Sequence, residues 1–98
     1  MRPEHATSPR NRIAEGSVRV IYTAPDGYWS LAEMTYDDEP GAIACRWNGE
    51  LEDPDDKGNP RSHAQGTWFV FPRELGRPIA AMVKLFGNGH ADYPAPKS

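Results

Sequence analysis

The segment "SVRVIYTAPDGYWSLAEMTYDDEPGAIACRW", residues 17–47, decides the fold. It contains three runs in which side chains suited to a buried face recur at every second position. Such alternation is typical of β-strands. A Pro-Asp-Gly turn at 25–27 separates the first two runs, and a second turn at Asp37–Gly41 separates the second from the third. Because short turns join antiparallel neighbours, the segment predicts a three-stranded meander.

A fourth strand and one helix follow further along the chain. The run "TWFVF", residues 67–71, is largely apolar and predicts a strand covered on both faces. The later segment "RELGRPIAAMVKLFG" spaces its apolar residues at helical intervals. Because Pro78 has no N–H for an interior turn, we expect a short turn at 73–76 and a regular helix that begins at Pro78. The stripe expected to face the sheet consists of Leu75, Ile79, Met82, Val83 and Phe86.

Together these elements predict an α+β fold: a small, twisted antiparallel sheet of about four strands with one C-terminal helix. The second and fourth strands carry apolar residues on both faces, which is more than one short helix covers. The sheet therefore either curls into an SH3-like β-barrel, or leaves a face that a second copy of the chain covers in a homodimer.

The length of 98 residues predicts a single domain with loose ends. Residues 1–15 contain few large apolar side chains besides Ile13, so they predict a mobile N-terminal arm. Residues 88–98 predict a mobile C-terminal tail for the same reason. The folded domain is expected to span residues 16–87 and to contain a long polar loop at 48–66.

Cysteine content and apolar run length limit the class of protein. Cys45 is the single cysteine, which excludes an internal disulfide and any multi-cysteine metal site. The chain starts without a signal-like apolar region, and no run approaches the ~18 apolar residues that a membrane span needs. We therefore expect a soluble cytoplasmic protein with no membrane partner.

The charges are distributed unevenly along the chain. The formal net charge is −3, but residues 33–56 carry nine acids and one base, a local charge of −8. Residues 57–98 carry six bases and two acids, a local charge of +4. An acidic segment of this kind favours a partner with a basic surface.

The acids of the polar loop do not match a known type of metal site. If Gly58 is aligned with the invariant glycine of an EF-hand loop, Asp53 and Asp55 take ligand positions. Lys57 and Ala64 then occupy positions that require oxygen ligands, so the alignment fails. Zinc ligands at local spacing are also missing. A loose cation site built from the loop acids is the remaining metal alternative, but solvated acids are the more common arrangement, and we expect no metal.

The sequence also lacks a catalytic motif. His63 is the only histidine inside the predicted domain, and no serine or cysteine nucleophile can be assigned to it. Carboxylates among prolines and glycines are expected to lie in water, where their pKa values are not driven apart. Nucleotide-binding glycine motifs are absent from the sequence. We therefore expect no enzyme, no catalytic residue and no cofactor.

The length of the polar loop favours a binding function. At nineteen residues it exceeds the ~12–15 residues beyond which loops are usually functional or disordered. Trp47 and Trp68 flank it and can anchor a partner. We expect a small non-catalytic binding or accessory protein that engages a protein partner. The predicted partner-binding residues are Asp37, Asp38, Glu39, Trp47, Glu50, Glu52, Asp53, Asp55, Asp56 and Trp68.

A nucleic-acid-binding module is the alternative function. Sheet aromatics can stack on bases, and the arginines of the chain can contact phosphates. The acidic net charge and the strongly acidic segment at 33–56 argue against this alternative, because a basic stripe is the usual feature of such modules.

Overall fold

The computed structural model describes residues 1–62 and 64–86 of the chain. His63, the single histidine of the predicted domain, and the predicted mobile tail at 88–98 lie outside the described residues.

Four antiparallel strands form one open sheet, and a single helix packs on it. The sheet order is β1-β2-β3-β6, and a separate two-stranded hairpin, β4-β5, precedes the last strand. This arrangement confirms the predicted meander and the α+β fold, and because the sheet is not closed the SH3-like barrel does not form. The elements are β1 Arg19–Thr23, β2 Trp29–Tyr36, β3 Glu39–Trp47, β4 Arg61–Ser62, β5 Gln65–Gly66, β6 Phe69–Val70 and α1 Arg73–Val83.

The turn between β2 and β3 is tighter than the sequence predicts. It consists of Asp37 and Asp38 alone, with φ values of 51° and 66°, while β3 already begins at Glu39. Positive φ at both central residues matches the right-handed twist of the flanking strands, and aspartate tolerates this conformation better than most residues. The strands therefore pair up to Tyr36 and Glu39, and the predicted five-residue turn is wrong.

Residues 1–15 pack against one face of the sheet, which differs from the mobile arm that the sequence predicts. Ala6 and Ile13 are buried in a cluster with strand residues of that face. The backbone also joins the sheet, since the N–H of Ala14 donates to the carbonyl of Thr35 at 3.0 Å. Two small sheet residues, Ala32 and Ala44, explain the fit, because they leave room for a chain segment to lie close. We call this side of the sheet the arm face.

The helix α1 packs on the opposite side, which we call the helix face. Its bounds correct the prediction, because Pro78 lies inside one continuous helix instead of starting it. The N–H groups of Leu75 and Gly76 both donate to the carbonyl of Pro72, so the helix begins before Pro78. Pro78 and Glu74 are both exposed, so water can satisfy the Glu74 carbonyl that lacks an N–H donor.

The buried stripe of α1 is narrower than predicted. Gly76 and Val83 are buried, and Ile79 lies partly buried against the same cluster. A Cβ atom on Gly76 would lie 3.0 Å from Cβ of Ile43, so the helix approaches the sheet closely along this line. Because Gly76 faces the sheet, the side chains of Leu75, Met82 and Phe86 lie to the side of the helix. Exposed fractions are 52% for Leu75, 50% for Met82 and 40% for Phe86, so their predicted core positions are wrong.

Candidate functional site

A concave volume of about 360 Å³ lies on the helix face, at the end of the sheet where β3 ends. We call it the aromatic groove, because three of its lining side chains are aromatic. Its lining residues are Trp29, Cys45, Arg46, Trp47, Asn59, Pro60 and Phe69.

Strand register explains why aromatic rings surround the groove. Trp29 and Trp47 are paired across β2 and β3, so they form one aromatic row. Two residues before Trp47 in β3, Cys45 is paired with Phe69 of β6. The cysteine is the smallest of these side chains and forms the floor between the row of tryptophans and Phe69. Trp47 is 59% exposed and Phe69 is 56% exposed, so both rings are accessible from solvent.

The groove exists because α1 covers only part of the helix face. Val83 packs into a cluster with Leu31 and Ile43, which lies further from the end of β3. The helix therefore leaves the Trp47 end of the sheet uncovered. The Tyr22 ring packs against Trp29 with 5.3 Å between the ring centres, so it supports one wall of the groove.

The polar stretch after Trp47 is a closed loop followed by the β4-β5 hairpin, not one long connection. The N–H of Trp47 donates to the carbonyl of Asn59 at 2.7 Å, and the N–H of Asn59 donates back at 2.9 Å. This pair closes residues 48–58 into a loop whose two ends line the groove. The structured loop is therefore shorter than the predicted one at 48–66.

Asp56 holds this loop in shape. Its carboxylate accepts the backbone N–H of Glu50 at 2.9 Å and that of Gly58 at 3.1 Å. These two hydrogen bonds favour the charged carboxylate and lower the pKa of Asp56 below its ordinary value. Gly58 has a φ of 64°, and a Cβ atom there would lie 2.1 Å from the carbonyl oxygen of Trp47. The loop therefore needs both a carboxylate at 56 and a glycine at 58.

The remaining loop acids fall into two groups. Asp53 has a local structural role, because its carboxylate accepts the N–H of Asp55 at 2.9 Å. Glu50, Glu52 and Asp55 are exposed, and the Glu52 carboxylate lies 3.9 Å from the guanidinium of Arg2. Four of the five predicted loop acids are thus exposed, while Asp53 and Asp56 shape the loop.

Arg46 anchors the loop from beneath, a role that differs from the phosphate contacts expected of the arginines from the sequence. It is buried, and its guanidinium donates to the carbonyls of Lys57 and Thr67. The guanidinium carbon lies 5.9 Å from the centre of the Trp68 ring. Burial lowers the pKa of Arg46 to about 10, while the charge of Asp56 opposes this shift. One signal was available: Arg46 is the single base within the acidic segment 33–56.

Trp68 is buried, which differs from the accessible partner anchor that the sequence predicts. The side chain is only 5% exposed and lies in the core of the arm face. Its indole N–H donates to the carbonyl of Ala6 at 2.6 Å. Because side chains alternate along the extended chain that leads into β6, Trp68 enters the core while Phe69 reaches the groove.

The acidic turn lies away from the groove. Asp37, Asp38 and Glu39 stand at the start of β3, whereas the groove lies at the end of this nine-residue strand, roughly 26 Å away for an extended chain. Asp37 lies 3.3 Å from Arg12, and Glu39 lies 2.6 Å from Arg73. The structure therefore does not bring these three acids together with Trp47 and the loop acids.

The chemistry of the groove fits binding. Burial raises the pKa of the Cys45 thiol, so the thiol stays protonated at neutral pH and is a poor nucleophile. Within residues 1–62 and 64–86, no three His, Cys, Asp or Glu side chains converge in a way that could hold a metal ion. What the groove offers is aromatic area, a small floor and an adjacent acidic loop.

Comparisons of the chain with protein-family models, curated proteins and solved structures gave no match. The described part of the chain has no helix of the length and apolarity needed to cross a bilayer.

Proposed function

We propose that this chain is a small, non-catalytic, cytoplasmic binding protein that holds a protein partner in the aromatic groove beside the acidic loop. The observation that carries the proposal is the pair of rings at Trp47 and Phe69. Each is more than half exposed, and both face a concave volume of about 360 Å³. Large aromatic side chains that border a pocket are the residue types that dominate the binding energy of protein interfaces.

The acidic loop supplies a second feature of an interface. Glu50, Glu52 and Asp55 are exposed on a loop that begins and ends at the groove. Charges at the rim of an interface accelerate encounter with a partner of opposite sign and add little to the strength of the final contact. The proposed partner therefore carries basic residues beside the segment that enters the groove.

The positions of the arginines support a protein partner over a nucleic acid. Arg12, Arg19 and Arg73 each pair with a carboxylate of the same chain. Arg46 is buried beneath the loop. A phosphate backbone would thus meet exposed acids next to the groove, with Arg61 as an exposed base beside them.

A capture experiment with matched variants tests the proposal. The immobilised protein is exposed to a nuclease-treated extract of the cells that produce it, and bound proteins are identified by mass spectrometry. We expect a defined set of proteins that Trp47→Ala loses and Leu75→Ala retains, since Leu75 is exposed to a similar extent but lies outside the groove.

A second pair of variants isolates the charge effect. The loop variant Glu50→Gln/Glu52→Gln/Asp55→Asn leaves the structural acids Asp53 and Asp56 in place. It should slow partner association, measured by surface plasmon resonance. The control variant Glu15→Gln/Asp38→Asn/Glu74→Gln makes the same charge change at exposed positions elsewhere and should leave association unchanged. If every captured protein is retained by both Trp47→Ala and the loop variant, the proposed function is wrong.

A further inference from the structure

We infer that the segment entering the aromatic groove is an extended, proline-rich peptide flanked by lysine or arginine. This inference rests on the proposed function and names the chemistry of the partner. Three features of the groove carry it: its width, its unpartnered hydrogen-bond donors and the charge of its rim.

The width of the groove admits one flat ring and excludes a helix. One wall is the pair of Trp29 and Trp47. The other wall is Phe69, which is paired with Cys45, two residues before Trp47 in β3. Two residues of a strand span about 7 Å. An α-helix with its side chains is about 10–12 Å across, so it is too wide to enter between these walls. A single flat ring fits this spacing, because it would lie about 3.5 Å from each wall, which is van der Waals contact.

Aromatic walls favour proline within that extended segment. Proline-rich chains adopt the polyproline II conformation before binding, so they lose little conformational entropy when they dock into aromatic-lined grooves. Pro60 lies beside Trp47 in the groove lining and adds a rigid apolar surface at the rim. Because the floor at Cys45 is small, a ring of the ligand can lie between the walls.

The groove also carries donors that suit a polyproline II backbone. Such a chain has no internal hydrogen bonds, so its carbonyls need donors from the protein. Within the described residues, the indole N–H groups of Trp29 and Trp47 and the side-chain amide of Asn59 donate to no protein group. By contrast, the indole N–H of Trp68 donates to the carbonyl of Ala6 inside the core. Three lining residues of the groove thus carry side-chain donors that have no partner among the described residues.

The charge of the rim selects the residues next to the prolines. The loop of residues 48–58 leaves the groove at Trp47 and returns to it at Asn59, and it exposes Glu50, Glu52 and Asp55 between these ends. A lysine or arginine adjacent to the proline segment would meet Glu50 and Asp55, since Glu52 already lies 3.9 Å from the guanidinium of Arg2. An acidic flank would be repelled by this negative rim.

Binding of synthetic peptides tests the inference directly. The probe is a fluorescein-labelled peptide of eight prolines followed by two lysines, and fluorescence anisotropy is measured with the full chain. We expect saturable binding that is about tenfold or more weaker for Trp47→Ala and Phe69→Ala and unchanged for Leu75→Ala. Trp47→Phe, which keeps an aromatic ring and removes the indole donor, should bind with intermediate affinity. Thermal unfolding of each variant shows that the fold is retained.

Two control peptides separate shape from charge. A Gly-Ser peptide of equal length with two lysines should not bind, because it lacks the polyproline II conformation. A peptide of eight prolines with two glutamates should bind more weakly than the lysine peptide. This difference should shrink for Glu50→Gln/Glu52→Gln/Asp55→Asn, because the variant removes the negative rim.

The outcomes distinguish this inference from the proposed function. If the capture experiment gives Trp47-dependent partners and the proline peptide does not bind, the peptide class is wrong and the binding function stands. If a labelled single-stranded oligonucleotide binds in a Trp47-dependent way and the peptide does not, both proposals are overturned in favour of nucleic acid. If sedimentation shows a Trp47-dependent dimer that the peptide does not dissociate, a second copy occupies the groove and the inference is overturned.

Discussion

On the arm face of the sheet, an irregular segment with little secondary structure leaves almost no apolar side chain exposed. On the helix face, a regular amphipathic helix leaves a groove open at one end. The difference is one of shape. Residues 1–15 follow the sheet surface closely, because their backbone is not constrained to a cylinder. A helix is straight over eleven residues and contacts a twisted sheet along one line only.

The two tryptophans that flank the polar stretch show this difference at single residues. Trp68 lies on the arm face and is buried, whereas Trp47 lies on the helix face and is mostly exposed. The same residue type is therefore a core residue on one face and a candidate binding residue on the other. The following predictions test this contrast, beginning with the largest expected effect.

Replacing the two tryptophans separately should give very different losses of stability. Trp68→Ala should lower the free energy of unfolding by roughly 3–5 kcal/mol, because it removes a buried ring and leaves the Ala6 carbonyl without its donor. Trp47→Ala should lower it by about 1 kcal/mol or less. Urea denaturation of both variants checks this. Equal losses would show that the two faces are closed to the same degree.

The stability of the protein should also depend on Ile13 in the arm face. If residues 1–15 were a mobile arm, replacing Ile13 would have no effect on stability. Ile13 is 2% exposed, so Ile13→Ala should lower the free energy of unfolding by roughly 2–5 kcal/mol. Asn11→Ala changes an exposed side chain of the same segment and should have an effect within about 0.5 kcal/mol. A neutral Ile13→Ala, measured by the same denaturation assay, would restore the mobile arm predicted from the sequence.

On the helix face, two adjacent residues should separate the buried line of α1 from its exposed side. Val83→Ala should lower the free energy of unfolding by roughly 1–3 kcal/mol, because Val83 is buried against the sheet. Met82→Ala should change it by less than about 1 kcal/mol, because half of its side chain is already in water. The reverse order in denaturation measurements would mean that the helix packs through its other side.

The smallest expected effect concerns the loop and depends on pH. The folded state lowers the pKa of Asp56 from its ordinary value of 3.8, through the N–H groups of Glu50 and Gly58. The stabilisation by this charge is therefore fully present above about pH 4 and is lost as the pH falls through the lowered value. The parent should exceed Asp56→Asn in urea midpoint at pH 7, and the gap should close toward pH 2. A gap that stays constant with pH would show that the charge of Asp56 is not involved.

Strand alternation and turn residues made the meander predictable from the sequence. Three runs with period two and short turns between them leave antiparallel pairing as the simplest arrangement, and the structure has it. The packing of residues 1–15 was not predictable by the same means. Those residues have no periodicity, and they dock because Ala32 and Ala44 leave space on the sheet, which is a property of the assembled face.

The candidate site was predictable in part for a similar reason. The position of Trp47 next to an acidic loop is a property of the sequence, and the structure shows both features side by side. The burial of Trp68 and the distance of Asp37–Glu39 from the groove depend on which face a residue occupies and which strand end it lies at. The predicted stripe of α1 was wrong for a local reason. Gly76 faces the sheet at close range, so Leu75 and Met82 lie to the side of the helix and are exposed.

The closure of residues 48–58 by main-chain hydrogen bonds between Trp47 and Asn59 has a consequence for protein engineering. Main-chain pairing does not depend on side-chain identity, so the exposed positions of the loop can be randomised while Arg46, Asp56 and Gly58 are kept. A library built at Glu50, Glu52 and Asp55 would vary the rim of the groove on an unchanged sheet. The chain would then serve as a compact scaffold for selecting recognition loops beside a fixed aromatic cleft.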